Sequence, residues 1–375
     1  MKRNIINYTL PELELIIKEL KGEKYRVKQI FTSLHQKHIS NFKDIKAVPV
    51  ALRERLLDNF YISSLSTLYI SDSKKYNTRK FLFMLSESDG KNKDEILKIE
   101  TVLISEKGRH TICISTQVGC NVGCEFCATG KMGLKRNLEV SEIVCQVYEV
   151  VKATGLTPTN LVYMGMGEPF LNYNNLIKSL TILTNKDGLN ISSRRITVST
   201  IGLKNKIKKF ADDLYTKEFH VLRNTKLAFS LHSTDNGIRE SIIPTSAYNK
   251  LSDIYEELVY YYKKLRQKIT YEYIYFNGIN NSDNDIKRLE KLSKMIPCNF
   301  NIIPFHPITF HLNKPLDVFN KLDKGKIDER NEISLYNLGL NDFIEKLKSK
   351  KITVNLRSSS GIDINAACGQ LVVIN

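Results

Sequence analysis

Gly119-Cys120-Asn121-Val122-Gly123-Cys124-Glu125-Phe126-Cys127-Ala128-Thr129-Gly130 sets three thiols at the spacing C-x3-C-x2-C on one short segment. Thiolates are soft ligands and favour zinc, copper(I) and iron–sulfur centres. Structural zinc is normally closed by four protein ligands, and a four-iron cube by four cysteines. Three thiols without a neighbouring fourth therefore point to a [4Fe–4S] cluster held by Cys120, Cys124 and Cys127, with one iron left open to a small molecule. Gly119, Gly123 and Gly130 suit a backbone wrapped closely around such a group. The plainer readings are three structural cysteines, or a zinc site completed by His110.

The rest of the composition fits this centre. The chain has 375 residues and 42% apolar content, enough for one large catalytic domain and a smaller one. Seven cysteines, an odd number, do not read as a disulfide framework. No apolar run reaches the roughly 18 residues of a membrane span, and Met1-Lys2-Arg3-Asn4 leads into no apolar signal segment. The expectation is a reducing, cytoplasmic setting. The net charge of +16 favours a nucleic-acid partner. The runs Lys204–Lys209 and Lys263–Lys268 read as solvated helix faces.

Three helices are expected first, near 9–20, 25–36 and 49–60. Thr9 and Glu12 form a capping box for the first, and Leu13, Ile16, Ile17 and Leu20 form its apolar stripe. Lys28, Lys37, His38, Arg53 and Arg55 make this a small basic helical domain, residues 1–62, suited to RNA contact. A β-rich connecting segment, 63–110, follows, with strands at 66–70, 80–85 and 96–104. A strand at 111–117 leads into the thiol loop. Strand and helix patterns then alternate to about residue 304, which argues parallel βα units in an α/β domain spanning 111–357. Residues 308–330 read as a long polar loop. A helix at 334–348 and a strand at 352–356 precede a tail, 358–375.

Polar groups collect at the ends of the expected strands, where α/β barrels place their chemistry. Leu161–Met164 runs into Gly165-Met166-Gly167-Glu168-Pro169. There the glycines permit close backbone approach to a ligand, and Glu168 can pair with an ammonium. Ser199 ends the next strand, and Ser230-Leu231-His232 the one after. Two cysteines outside the loop, Cys113 and Cys368, are by default small buried hydrophobes.

The thiol spacing with Phe126 resembles the radical S-adenosylmethionine (SAM) superfamily. The wider pattern resembles the RlmN/Cfr family of radical SAM RNA adenine methyltransferases. It is carried by Tyr25-Arg26-Val27-Lys28-Gln29-Ile30, Glu100-Thr101-Val102, Cys113, Cys127-Ala128-Thr129-Gly130, Gly165–Pro169, Ser230-Leu231-His232 and Ala366-Ala367-Cys368-Gly369-Gln370-Leu371. The resemblance implies a partial (β/α)6 barrel with a C-terminal tail bearing a catalytic cysteine, one [4Fe–4S] cluster and two SAM molecules per turnover. It implies SAM contacts from Gly167, Glu168, Ser199, Ser230, Leu231 and His232. His306 stands where the family usually has asparagine. In the implied chemistry Cys368 takes a methyl group, whose carbon is then joined to the base through a radical step. Glu100 accepts a proton, and Cys113 attacks the Cys368 sulfur to release product, leaving a transient disulfide. The implied partners are 23S ribosomal RNA, possible transfer RNA and an electron donor such as flavodoxin or ferredoxin, with a monomeric enzyme.

Carbon 2 of the adenine is the expected position. Pro169 matches the carbon-2 group, whereas Ser358–Asp363 and Thr200-Ile201-Gly202 match the carbon-8, antibiotic-resistance group. A non-catalytic, metal-bearing RNA-binding module is the reading from another class. It leaves Cys113 and Cys368 without a role.

Overall fold

The thiol loop sits at the mouth of a parallel sheet, and the strand order explains why. The computed structural model describes residues 2–63, 65–85, 96–321, 335–357 and 360–373. Among them β1 (Arg3–Asn4), α1 (Leu10–Glu19), α2 (Lys24–His35), α3 (Val50–Asn59) and β2 (Phe60–Tyr61) form the N-terminal unit. Thr9 and Glu12 make the expected capping box, and Leu13, Ile16 and Ile17 are buried. Next come β3 (Ser66–Asp72), β4 (Thr78–Met84), β5 (Lys98–Glu106), β6 (Arg109–Cys113) and β7 (Gln117–Gly119). The thiol loop then leads to α4 (Ala128–Lys131) and β8 (Leu134–Asn137).

The alternating part runs α5 (Val140–Thr154), β9 (Asn160–Tyr163), α6 (Tyr173–Thr184), β10 (Ile196–Thr200), α7 (Lys206–Tyr215) and β11 (Lys226–Ser230). It continues with α8 (Asn236–Ile242), α9 (Leu251–Leu265), β12 (Ile269–Tyr275), α10 (Asp283–Met295), β13 (Cys298–Pro304), α11 (Leu340–Ser349) and β14 (Val354–Leu356). One sheet takes the order β14-β13-β12-β11-β10-β9-β6-β5-β4-β3. From β6 through β14 every pairing is parallel. β3, β4 and β5 extend it antiparallel beyond β6. The barrel is open, because β14 and β3 are the two ends of the order.

Three expectations need correction. The strand expected over 111–117 stops at Cys113. Gln117–Gly119 turns away to pair with β8. The Gln117 side chain explains the turn: its Oε1 accepts from Glu168 N at 2.8 Å and its Nε2 donates to Asn137 Oδ1 at 2.7 Å. The last helix begins at Leu340, after Gly339 at φ +77°; Ser334 lies outside the described residues. The loop expected to be polar carries a set of buried apolar side chains in its described part. Ile308, Leu312, Leu316 and Phe319 pack with Phe276, Phe305 and Tyr336 in a second core that includes Cys120, Cys124 and Phe126. Residues 322–330 lie outside the described residues. Apolar groups spaced by lysines, asparagines and aspartates gave no periodicity to read.

The N-terminal unit docks on α5 and α6. Most of its basic groups are used internally. Arg53 Nη1 donates to Lys43 O at 2.5 Å and Arg55 Nη1 to Leu20 O at 2.6 Å. Lys28 pairs with Asp187 at 2.9 Å, and His38 stacks on Tyr148 with ring centroids 4.4 Å apart. Of the five residues read as an RNA-facing set, Arg53, Arg55 and His38 make contacts within the protein, and Lys28 stays exposed although paired. Lys37 is exposed.

Candidate active site

Cys120, Cys124 and Cys127 line one cavity at the carboxyl ends of β9 to β12. The loop is drawn in hard. A Cβ on Gly119, at φ +74°, would stand 1.8 Å from Gly133 O, and one on Gly130 would stand 2.9 Å from Cys124 N. Burial pushes the Cys120 thiol up to about 12, and that of Cys124 well above its ordinary value. Two buried thiols and the half-buried Cys127 thus share one cavity with little to carry their charge; the cation acting on Cys124 is Arg239. A metal centre is the group that relieves this. Among the described residues no three His, Cys, Asp or Glu side chains converge on a single ion. All three thiols line the same cavity. His110 does not line it: its ring meets Ser105 Oγ at 3.0 Å back on β6. The three loop thiols fit a [4Fe–4S] cluster with one iron left open.

Gly167, Glu168, Ser199, Ser230 and His232 line the same cavity. Gly167 sits at φ +98°, where a Cβ would meet Gln117 Cβ at 2.5 Å. Glu168 is buried; its Oε1 accepts from Phe170 N at 3.0 Å and its Oε2 from Ile201 N at 3.0 Å. Burial outweighs those donors and pushes its carboxyl up to about 7. A cationic ligand would restore the charged form. The Ser199 and Ser230 hydroxyls lie 3.3 Å apart across adjacent strands. His232 adopts φ +54° and its Nδ1 accepts from Ile274 N at 3.1 Å. Burial holds its pKa down at about 3, so the ring is neutral with its proton on Nε2. Leu231 is core: it is fully buried and its N–H donates to Glu272 O at 2.9 Å.

Cys368 also lines this cavity, beside Gly369. The tail reaches it by docking on the thiol loop. Ala128 N donates to Gly369 O at 2.7 Å and Thr129 Oγ1 to Leu371 O at 2.6 Å. A second cavity holds Cys113, Arg357 and Cys368 together, and shares Met164, Ile303 and Cys368 with the first. The tail thiol therefore stands where the two meet. Burial pushes Cys113 up to about 12, with Cys368 adding to the rise and Arg357 opposing it. His306 is buried in this second cavity rather than in the first. Burial takes it down to about 4.

Glu100 stands apart. Its carboxylate faces a third cavity, beneath the tail, with Lys80, Asn365 and Val372. Cys145 is buried in the main core, and Cys298 packs against it.

Four groups had no signal in the sequence. Arg357 lies 3.6 Å from Glu272 and is held charged against burial by Cys368, Glu272 and Cys113. Glu272 is buried, with Asn301 donating to its Oε1 at 2.9 Å and its Oε2 unpaired. Arg239 is fully buried and donates to Leu231 O, Ser246 Oγ, Ile201 O and Ser230 O. It ties the ends of β10 and β11 to α8. Lys80 is the fourth. Each sits on an element far along the chain from the thiol loop, so no local spacing marks it.

Comparison with known proteins agrees with this geometry. The profile of the radical SAM superfamily matches residues 114–306, and that of the ribosomal RNA large subunit methyltransferase N-terminal domain matches residues 3–62. A protein from Clostridium novyi named "Probable dual-specificity RNA methyltransferase RlmN" is 35% identical over 369 residues, 98% of this chain and 97% of its own. A Bacillus cytotoxicus protein of the same name is 36% identical over 375 residues, 99% of this chain and 93% of its own. The crystal structure of a radical SAM methyltransferase from Sphaerobacter thermophilus superposes with a TM-score of 0.80 at 32% identity, covering 98% of this chain and 99% of that one. With relatives of this identity over nearly its full length, the chain belongs to the RlmN family of radical SAM methyltransferases, whose cofactors are a [4Fe–4S] cluster and SAM.

Proposed function

We propose that this enzyme methylates carbon 2 of an adenine in 23S ribosomal RNA, and an adenine in transfer RNA, through a methyl group carried on Cys368. The observation that carries this reading is the position of Cys368, in the wall shared by the cluster cavity and the Cys113 cavity. The name of the relatives, dual-specificity RNA methyltransferase, supports RNA as substrate and two kinds of target. Pro169, which matches the carbon-2 group, favours carbon 2 over the carbon-8 alternative.

Cys120, Cys124 and Cys127 would hold the cluster, and Gly167, Glu168, Ser199, Ser230 and His232 would line the SAM site. When bound, these cofactors supply a methyl group, a one-electron route for removing hydrogen from it, and the return of electrons from a donor such as flavodoxin or ferredoxin. The chain's residues do the remainder. Cys368 Sγ loses its proton and bonds the methyl carbon. That carbon, once a hydrogen atom has left it, bonds to carbon 2 of the base, which tethers RNA to protein. Glu100 takes the proton from carbon 2, and the unpaired electron left on the adduct would leave by the one-electron route that the cofactors supply, so that the ring is aromatic again. Cys113 Sγ, as thiolate, then attacks Cys368 Sγ; the sulfur–carbon bond breaks and the carbon takes up a proton as the product methyl. The two sulfurs are left as a disulfide, which two electrons must reduce before the next turnover. The base must leave its stack to enter, at a cost of a few kcal/mol.

The test is Cys113→Ala. The variant is expected to form the RNA–protein adduct and fail to release it, seen as RNA that stays with the protein under denaturing conditions. Normal turnover by Cys113→Ala would overturn the release role. Mass spectrometry of ribosomal RNA separates 2-methyladenosine from 8-methyladenosine, and finding only the latter would overturn the choice of carbon.

A further inference from the structure

The loop that carries Cys368 is clasped at both ends by one ion pair. Lys80 Nζ lies 2.8 Å from Glu100 Oε1 and donates to Asn365 O at 3.3 Å. Glu100 Oε2 accepts from Val372 N at 2.9 Å. Asn365 and Val372 bracket Cys368 in the chain, so one pair fixes the entry and the exit of the catalytic loop. The register of β4 and β5 sets this up. Leu82 pairs with Glu100, and Lys80 lies two residues along β4 on the same face, within reach as a diagonal cross-strand neighbour. The pair is secluded, with side-chain exposures of 13% for Lys80 and 5% for Glu100. It opens on a cavity of about 280 Å³ beneath the tail, in which no other charged side chain among the described residues takes part.

We propose that Lys80 is the positioning residue of the Glu100 base, holding its carboxylate ionised and tying it to the loop that presents Cys368. This rests on the reading of Glu100 as proton acceptor. Burial by itself raises the Glu100 carboxyl; the charge and hydrogen bond of Lys80 and the amide of Val372 oppose it. The groups facing Glu100 are few: Lys80 from β4, the Val372 amide from the tail, and uncharged residues from the thiol loop and from 307–309. Removal of the one cation leaves the desolvation of a buried carboxylate largely unopposed. The base would then hold its own proton to higher pH and take one from the adenine carbon less readily. The same removal frees the Asn365 end of the clasp.

The test compares Lys80→Met and Lys80→Arg with the parent and with Cys113→Ala, all as full-length, cluster-loaded protein. Lys80→Met should accumulate the RNA–protein adduct near pH 7. Its adduct resolution, followed in single turnovers, should have a pH profile displaced upward by about one to two units, and higher pH should restore release. Lys80→Arg keeps the charge and should restore most of the parent profile. In the protein without RNA, amide exchange over 365–372 should quicken in Lys80→Met, a readout that needs no turnover. If Cys113→Ala traps adduct while Lys80→Met resolves it with the parent pH profile, the role of Lys80 is overturned and the reading of the reaction stands. If neither variant traps adduct, both fall.

Discussion

Gly130 governs how closely the thiol loop can fold on itself. A Cβ there would meet Cys124 N at 2.9 Å and Cys124 O at 3.0 Å, both backbone atoms that cannot swing aside. Gly130→Ala must therefore move Cys124, and the expected result is a lower iron content per chain after anaerobic reconstitution. Fold stability should fall by only about 1–3 kcal/mol, the usual range for overpacking. Gly108→Ala is the control. It adopts φ +76° in the hairpin between β5 and β6, and a Cβ there meets nothing within 4 Å, so it should strain the backbone and leave iron content unchanged. Equal iron in both variants and the parent would remove the argument from close approach. At this scale the sequence was legible where function is written in one stretch: the thiol spacing, and the glycines before Glu168. It was silent on Lys80, Glu272 and Arg357, because a lysine on β4 or an arginine past β14 acquires its meaning from the sheet order. His306 was legible as a departure but not in its place, since the turn after β13 carries it toward Cys113.

The elements follow the same division. Helices were legible where the pattern and the cap agree, as at α1 and at α10, which starts with the Ser282–Asp285 capping box. β7 was hidden, because its direction depends on the Gln117 side chain meeting Glu168 and Asn137. The seam between α2 and α5 yields a prediction of its own. His35 is fully buried, and its Nδ1 lies 2.8 Å from the Tyr148 hydroxyl. Phe31 packs on its ring at 4.3 Å, and His38 stacks on Tyr148. Burial, reinforced by His38, takes the His35 pKa from 6.5 to about 3. The folded state therefore refuses a proton that the unfolded chain accepts. Its contribution is complete above pH 6.5 and is lost as pH falls toward the folded value, by up to about 1.4 kcal/mol per pH unit for one such group. His35→Gln removes that titration. Its unfolding free energy, measured by urea between pH 6.5 and 5, should fall less steeply than the parent's by close to one proton's worth. Parallel slopes would show that the seam does not exclude the proton.

At the scale of the molecule the tail is what joins the parts. Asp363 accepts from Ser73 Oγ at 2.8 Å and from Lys74 N at 2.9 Å, and Ser360 Oγ donates to Glu106 at 2.8 Å. These contacts anchor the tail to the antiparallel edge of the sheet. A few residues further on it is bonded to the thiol loop through Gly369 O and Leu371 O. An edge strand and a metal-binding loop far from it in the chain are thus held by one segment, and holding is mutual. Whatever orders the thiol loop must also order the tail, by the reciprocity of coupled equilibria. Two hydrogen bonds at about 1 kcal/mol each give about 2 kcal/mol of coupling, or roughly thirtyfold in an equilibrium constant. A chain ending at Arg357 keeps every strand of the sheet and all three cluster thiols. It should yield its iron to a chelator at roughly thirtyfold lower chelator concentration than the parent. In the parent, loading the cluster should in turn slow amide exchange at 366–372, where the tail crosses the loop. Both effects come from the same two bonds, so they must appear together. If the shortened chain holds iron as firmly as the parent, the tail rests on the loop without coupling to it, and the presentation of Cys368 must then depend on the Lys80–Glu100 clasp and the Asp363 and Ser360 anchors.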